Sequence, residues 1–175
     1  MLDIACKYEE KLQLLFANIT FDEKYKFYDM GSYREKYKAI ESTWAAHEFV
    51  SIDKDNNVLG YIKYGICRDS MDVHYLQIIN FSDNKIIFGR DVFKCISEIF
   101  IKFNFRKIVF GVVVGNPIES TYDKLLKKYG GRIVGIFLKD CKLIDGKYYG
   151  SKKYEIFRED YLKHRNGDKI WKVVN

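Results

Sequence analysis

From Ile87 to Phe103 the apolar residues Phe88, Val92, Cys95, Ile96, Ile99 and Phe103 recur three or four positions apart, while Arg90, Asp91, Lys94 and Glu98 fall elsewhere. That spacing predicts an amphipathic helix with one buried stripe. Upstream the period changes. His47 to Asp53 reads as a short strand, Lys54 to Asn57 as a turn, and Val58 to Tyr64 as its antiparallel return. Asp72 to Phe81 is a third strand, rich in β-branched and aromatic residues. Lys107 to Val114 is a continuous apolar run, which suits a strand buried on both faces. After Gly115-Asn116-Pro117 comes a short helix ending at Gly130-Gly131. A hairpin then turns at Asp145-Gly146 and closes on Tyr154 to Phe157. At the start of the chain, Lys7 to Trp44 reads mainly as helix, with Leu12, Leu15 and Phe16 on one face. A break at Gly31-Ser32 separates a second helical stretch from Tyr33 to Trp44, with Ser32 as N-cap and Glu35 three residues on. An antiparallel meander followed by a β-α-β-α-β-β run predicts an α/β fold with a mixed sheet and helices on both faces.

The length of 175 residues fits one domain, expected over 1–165, with 166–175 as a tail. A single proline and the absence of low-complexity runs leave no linker. The net charge of +6 is spread among acids rather than gathered in a block, so nucleic acid is disfavoured as a partner and a phosphate-bearing ligand accounts for the balance equally well. Cys6, Cys67, Cys95 and Cys141 are far apart in sequence, which argues for reduced thiols and against a metal site. The first residues lack the features of a signal peptide, and no apolar run reaches membrane-spanning length. These features lead us to expect a soluble, cytoplasmic protein with no membrane association.

The order of elements resembles the GNAT superfamily of N-acetyltransferases from about residue 1 to Tyr161. Leu59-Gly60-Tyr61-Ile62 is similar to the second meander strand of that superfamily. The span from Asn116 to Ile156, through Gly130-Gly131-Arg132 and Asp145-Gly146-Lys147, resembles the branch that acetylates ribosomal-protein N-termini. The resemblance implies acetyl-CoA as co-substrate, no metal, and an amine acceptor attacking directly in a ternary complex. Protein N-termini, lysines, polyamines, aminoglycosides and amino sugars are all compatible acceptors. It also implies a sheet splayed where the third meander strand and the strand from Lys107 diverge, with backbone N–H groups near Ile79, Asn80 and Phe81 polarising the thioester carbonyl. Homodimers formed through the hairpin are common in the superfamily.

The superfamily grips the pyrophosphate with backbone N–H groups at the start of its third helix. The corresponding stretch is Asn84 to Gly89, where Gly89 matches, and Ile87 stands where a glycine is usual. Either the loop tolerates Ile87, or Lys85 and Arg90 supply compensating charge, or the cofactor site is lost. Asn116 corresponds to an asparagine that bonds the pantetheine arm, and it reads equally as an N-cap before Pro117 and Glu119. Tyr122 is a candidate acid for the leaving thiolate, although the usual position falls on Leu126 and Tyr122, Leu125, Leu126 and Tyr129 also form a core stripe. His74 and Glu48 are the candidate bases, with deprotonation through water as the alternative. The N-terminal helices of the superfamily shape the acceptor pocket, and Tyr25, Phe27, Tyr28, Tyr33 and Tyr37, with Glu35 and Glu41, read either as its walls or as solvated helix faces. Two rival readings are a catalytically inactive scaffold that has lost the cofactor loop, and a protein- or nucleic-acid-binding domain.

Overall fold

The computed structural model describes residues 1–28, 36–40, 43–83 and 85–165. The strands are β1 (Leu2–Ile4), β2 (Ala46–Ile52), β3 (Val58–Cys67), β4 (Asp72–Asn80), β5 (Lys107–Val113), β6 (Arg132–Lys142) and β7 (Tyr148–Phe157). The helices are α1 (Glu9–Ile19), α2 (Lys85–Ile101) and α3 (Glu119–Tyr129), with residues 158–165 forming α4. Together the strands make one seven-stranded sheet in the order β1-β2-β3-β4-β5-β7-β6. Only the β4–β5 contact is parallel. The meander, α2, α3 and the final hairpin lie where the hydrophobic periods place them.

Three expectations need correction. Residues 36–40 are not helical; the Tyr37 ring instead sits beside Phe16 and Tyr61 in the core, at 5.1 and 6.1 Å. The Ser32 cap and Tyr33, Glu35 and Glu41 lie outside the described residues, as does the 166–175 tail. The second correction concerns β5, which is not buried equally on both faces. Ile108, Phe110 and Val112 are buried under the helices, while Lys107, Val109, Gly111 and Val113 are half-buried on the other side. The two β-α-β crossovers step along the sheet in the same direction and have the same hand, so α2 and α3 cover one face. Among the described residues the helix on the other face is α1, over β2, β3 and β4, where Leu12, Phe16 and Ile19 meet Val50, Ile52, Tyr61 and Ile79. Third, the sequence did not announce β1 or α4. Tyr161 of α4 stacks on Phe100 of α2 at 4.7 Å, and such fully buried aromatics contribute about 2–3 kcal/mol each.

β4 carries an irregularity that shapes everything downstream. Lys63 pairs with Gln77, but Gly65 pairs with His74, so β4 contains one extra residue between them. Tyr75 takes it up in a left-handed conformation (φ 52°), and such bulges bend a strand and increase its twist. Ladder pairs between β4 and β5 are confined to Asp72–Lys107 and Val73–Ile108. Beyond them the strands diverge, leaving a slot in the middle of the sheet. At the far edge, β6 exposes Ile133, Val134, Ile136, Phe137 and Leu138, each at least half accessible.

Candidate active site

The slot is walled by backbone. Phe81 N–H donates to the Leu59 carbonyl at 2.9 Å, and the alternation of an antiparallel ladder commits the Ile79 N–H to Tyr61 in the same way. Ile78 and Asn80 therefore turn their amides away from β3, towards the slot. Of the three residues expected to polarise a thioester, Asn80 presents its N–H to the slot; those of Ile79 and Phe81 are used within the sheet.

The Tyr28 hydroxyl lies near the Asn80 amide, and burial pushes that phenol above its ordinary pKa. Tyr28 also neighbours Tyr122 on α3. One residue earlier, the Phe27 ring meets Tyr149 of β7 edge-on at 6.2 Å. Residues 27 and 28 thus span the slot from β4 to β7. In the sequence Tyr28 was one aromatic among five, and nothing in its spacing set it apart.

Tyr122 packs edge-on against Phe110 at 5.3 Å and Tyr154 at 6.0 Å. Burial raises its pKa well above the ordinary phenol value, so it stays protonated at every working pH. Next to it, Lys152 reaches from β7 to Asp123 at 2.8 Å and Glu119 at 3.1 Å, and Tyr154 donates to Asp123 at 3.1 Å. This ion-pair cluster fixes α3 against the hairpin. The Asp123 hydrogen bond holds Lys152 above its usual pKa, and Lys152 holds Asp123 below its own.

Asn116 caps the turn that leads into α3. Its Oδ1 accepts from the Ile118 N–H at 3.1 Å, and Glu119 accepts from the Gly115 N–H at 3.2 Å, a variant of the capping box. Among the described residues nothing accepts from its Nδ2.

Asn84 lies outside the described residues. Lys85 opens α2 and is exposed, as is Arg90. The first turn of a helix carries N–H groups without intrahelical acceptors and favours anions. Gly89 is not part of that turn: as the fifth residue of α2 its N–H pairs with the Lys85 carbonyl in the regular pattern. Nothing lies within 4 Å of where a Cβ would stand there. Gly89→Ala is therefore expected to stabilise the fold by about 1 kcal/mol, read as a raised melting temperature. A loss of acetyl-CoA affinity in the same variant would show that the ligand comes closer to Gly89 than helix geometry implies.

The candidate bases are not brought to this point. His74 lies six residues before Asn80, about 20 Å along the strand. Its ring rests on Gly65, where a Cβ would stand 2.7 Å from Nε2. Glu48 is 5% exposed at its side chain and fully engaged. It accepts from Tyr61 OH at 2.6 Å, Tyr37 OH at 3.0 Å and the Ile40 N–H at 3.0 Å, and pairs with Lys63 at 3.2 Å. A carboxylate so surrounded is a structural acceptor that ties three segments together, and has no lone pair directed at a substrate.

A seven-stranded sheet splayed between β4 and β5, with α2 and α3 on one face and a β6–β7 hairpin closing it, is the fold of the GNAT N-acetyltransferases. The solved structures that carry this comparison include a chimera of the Vibrio cholerae spermidine N-acetyltransferase SpeG with hSSAT. It has a TM-score of 0.70 at 20% identity and covers 93% of this chain and 99% of its own. A mutant form of SpeG, a spermidine/spermine N-acetyltransferase, gives 0.69 at 21% identity over 93% and 97%. SpeG in complex with manganese ions gives 0.58 at 20% identity over 88% and 77%. The likeness at this identity is one of fold, and it lends the ribosomal-protein branch no support. No protein-family model matches the chain, and no curated protein does. No helix among the described residues is long and apolar enough to cross a membrane.

Proposed function

We propose that this protein is an N-acetyltransferase that moves an acetyl group from acetyl-CoA to the primary amine of a small molecule. The observation that carries this reading is the slot, with the Asn80 amide on one side and the Tyr122 phenol on the other. Unpaired strand edges inside a sheet call for a partner with amide-like donors and acceptors. The pantetheine arm is such a chain, and β4 and β5 would hold it as sheet strands hold a neighbour. The α2 N-terminus with Lys85 would take the phosphates, and the Asn116 Nδ2 would donate to the arm. The solved neighbours are named for spermidine, which makes a small-molecule amine the reading for this chain too.

Acetyl-CoA supplies an activated acyl group as a thioester. Asn80 or Ile78 N–H donates to its carbonyl oxygen and stabilises the negative charge that grows there. The acceptor nitrogen bonds the carbonyl carbon as the carbon–sulfur bond breaks, and Tyr122 gives the leaving sulfur its proton. The proton released by the amine leaves through water, because neither His74 nor Glu48 stands at the slot. The Tyr28 hydroxyl beside the Asn80 amide would have to make room for that carbonyl.

The test is a calorimetric titration with acetyl-CoA, followed by thiol release in the presence of amines. Micromolar binding and amine-dependent release of free CoA are expected. No heat at millimolar ligand would end the enzyme reading.

A further inference from the structure

β5 and β7 carry Lys107, Lys152 and Lys153. Lys107 pairs with Glu155 at 3.3 Å, and Lys152 pairs with Glu119 and Asp123. Lys153 has no carboxylate partner among the described residues; its ammonium stands 5.9 Å from the centre of the Phe137 ring. It is half-buried, and its ammonium is left to meet an anion from solution.

Its position is set by Gly111, its cross-strand neighbour on β5. A Cβ at Gly111 would stand 3.0 Å from the Lys153 Cδ and 3.4 Å from Nζ. The missing side chain lets the lysine lie flat over β5, the strand that borders the slot. Ile108, Phe110 and Val112 point to the helix side, so Gly111 and Lys153 belong to the opposite face, over which no helix packs on β5 among the described residues. Gly111 is three residues past Ile108, the last to pair with β4, so it is about 10 Å beyond that pair. Counting equally along β4 from Val73 reaches Leu76 and Gln77, where the strands have just parted. The helices fill the other face, so an acceptor approaching the thioester comes in from the side that Lys153 occupies.

We infer that the acceptor is an amine that also carries a carboxylate or phosphate group, and that Lys153 binds that anion. This rests on the acyltransferase reading. A charge-assisted hydrogen bond from Lys153 would orient the acceptor with its nitrogen at the slot. The same positive charge favours the neutral form of a nearby amine, which is the form that attacks. A polycation would instead meet repulsion.

The test compares wild type, Lys153→Met and Lys153→Arg, each saturated with CoA so that its phosphate sites are filled. Inorganic phosphate is expected to raise the melting temperature of wild type and of Lys153→Arg beyond what chloride does at equal ionic strength. Lys153→Met should lose that difference while melting normally in chloride. In acetyl transfer, kcat/KM for phosphoethanolamine over ethanolamine is expected to fall about tenfold from wild type to Lys153→Met. A phosphate effect absent from wild type, or intact in Lys153→Met, overturns the inference. Failure of wild type to bind CoA at all would instead refute the acyltransferase reading beneath it.

Discussion

Tyr122→Phe is expected to lower kcat about a hundredfold while leaving the acetyl-CoA dissociation constant and the melting temperature nearly unchanged. The substitution removes one oxygen and keeps the ring contacts with Phe110 and Tyr154 that hold α3 on the sheet. In the proposed mechanism the lost group is the donor to the leaving sulfur, and without it the thiolate must leave unassisted. Because burial raises the Tyr122 pKa, the phenol remains an acid through neutral and mildly basic pH. Its titration therefore adds no falling limb to the rate profile below about pH 10. The sign for stability is the same: whatever the neutral phenol contributes is fully present below its unfolded value and is lost as pH rises through the folded one. Stopped-flow or steady-state thiol release gives kcat, and calorimetry gives the affinity. Wild-type turnover in Tyr122→Phe would leave this residue with a packing role alone.

Glu48→Ala is expected to cost about 3 kcal/mol of stability, seen as a large drop in the urea midpoint. It would strand the Tyr61 and Tyr37 hydroxyls, the Ile40 N–H and the Lys63 ammonium around an empty acceptor. Lys63 is partly exposed and water takes over some of its share, so most of the loss comes from the buried donors. Glu48→Gln keeps acceptor oxygen at the site, loses the charge, and should retain activity within a few-fold. Normal melting with abolished turnover in Glu48→Gln would restore Glu48 as a base.

Much of the fold was legible because local periods dictated it. The α2 stripe of Phe88, Val92, Cys95, Ile96 and Ile99 is helical by spacing whatever surrounds it, although the helix ends at Ile101, before Phe103, and the Asp145-Gly146 turn closes a hairpin with Gly146 at φ 78°. The N-terminal region misled because Ser32 and Glu35, three residues apart, read as the start of a helix through residues 36–40. The Tyr37 ring is claimed by Phe16 and Tyr61, and its hydroxyl by Glu48, all distant in sequence. Tertiary contacts of that kind override a weak local preference.

The candidate site divides in the same way. The sequence by itself determined the meander, α2, α3 and the final hairpin and their order, though not β1, α4 or the course of residues 36–40, because propensity and turn chemistry act between near neighbours. It could not say which amides face the slot: that depends on the extra residue at Tyr75 and on the β3–β4 register. Nor could it separate Lys152 from Lys153. Adjacent residues on a strand point to opposite faces, so one is locked to Asp123 and the other lies over Gly111. Those assignments belong to the tertiary structure, because they are relations between strands brought together only when the sheet closes.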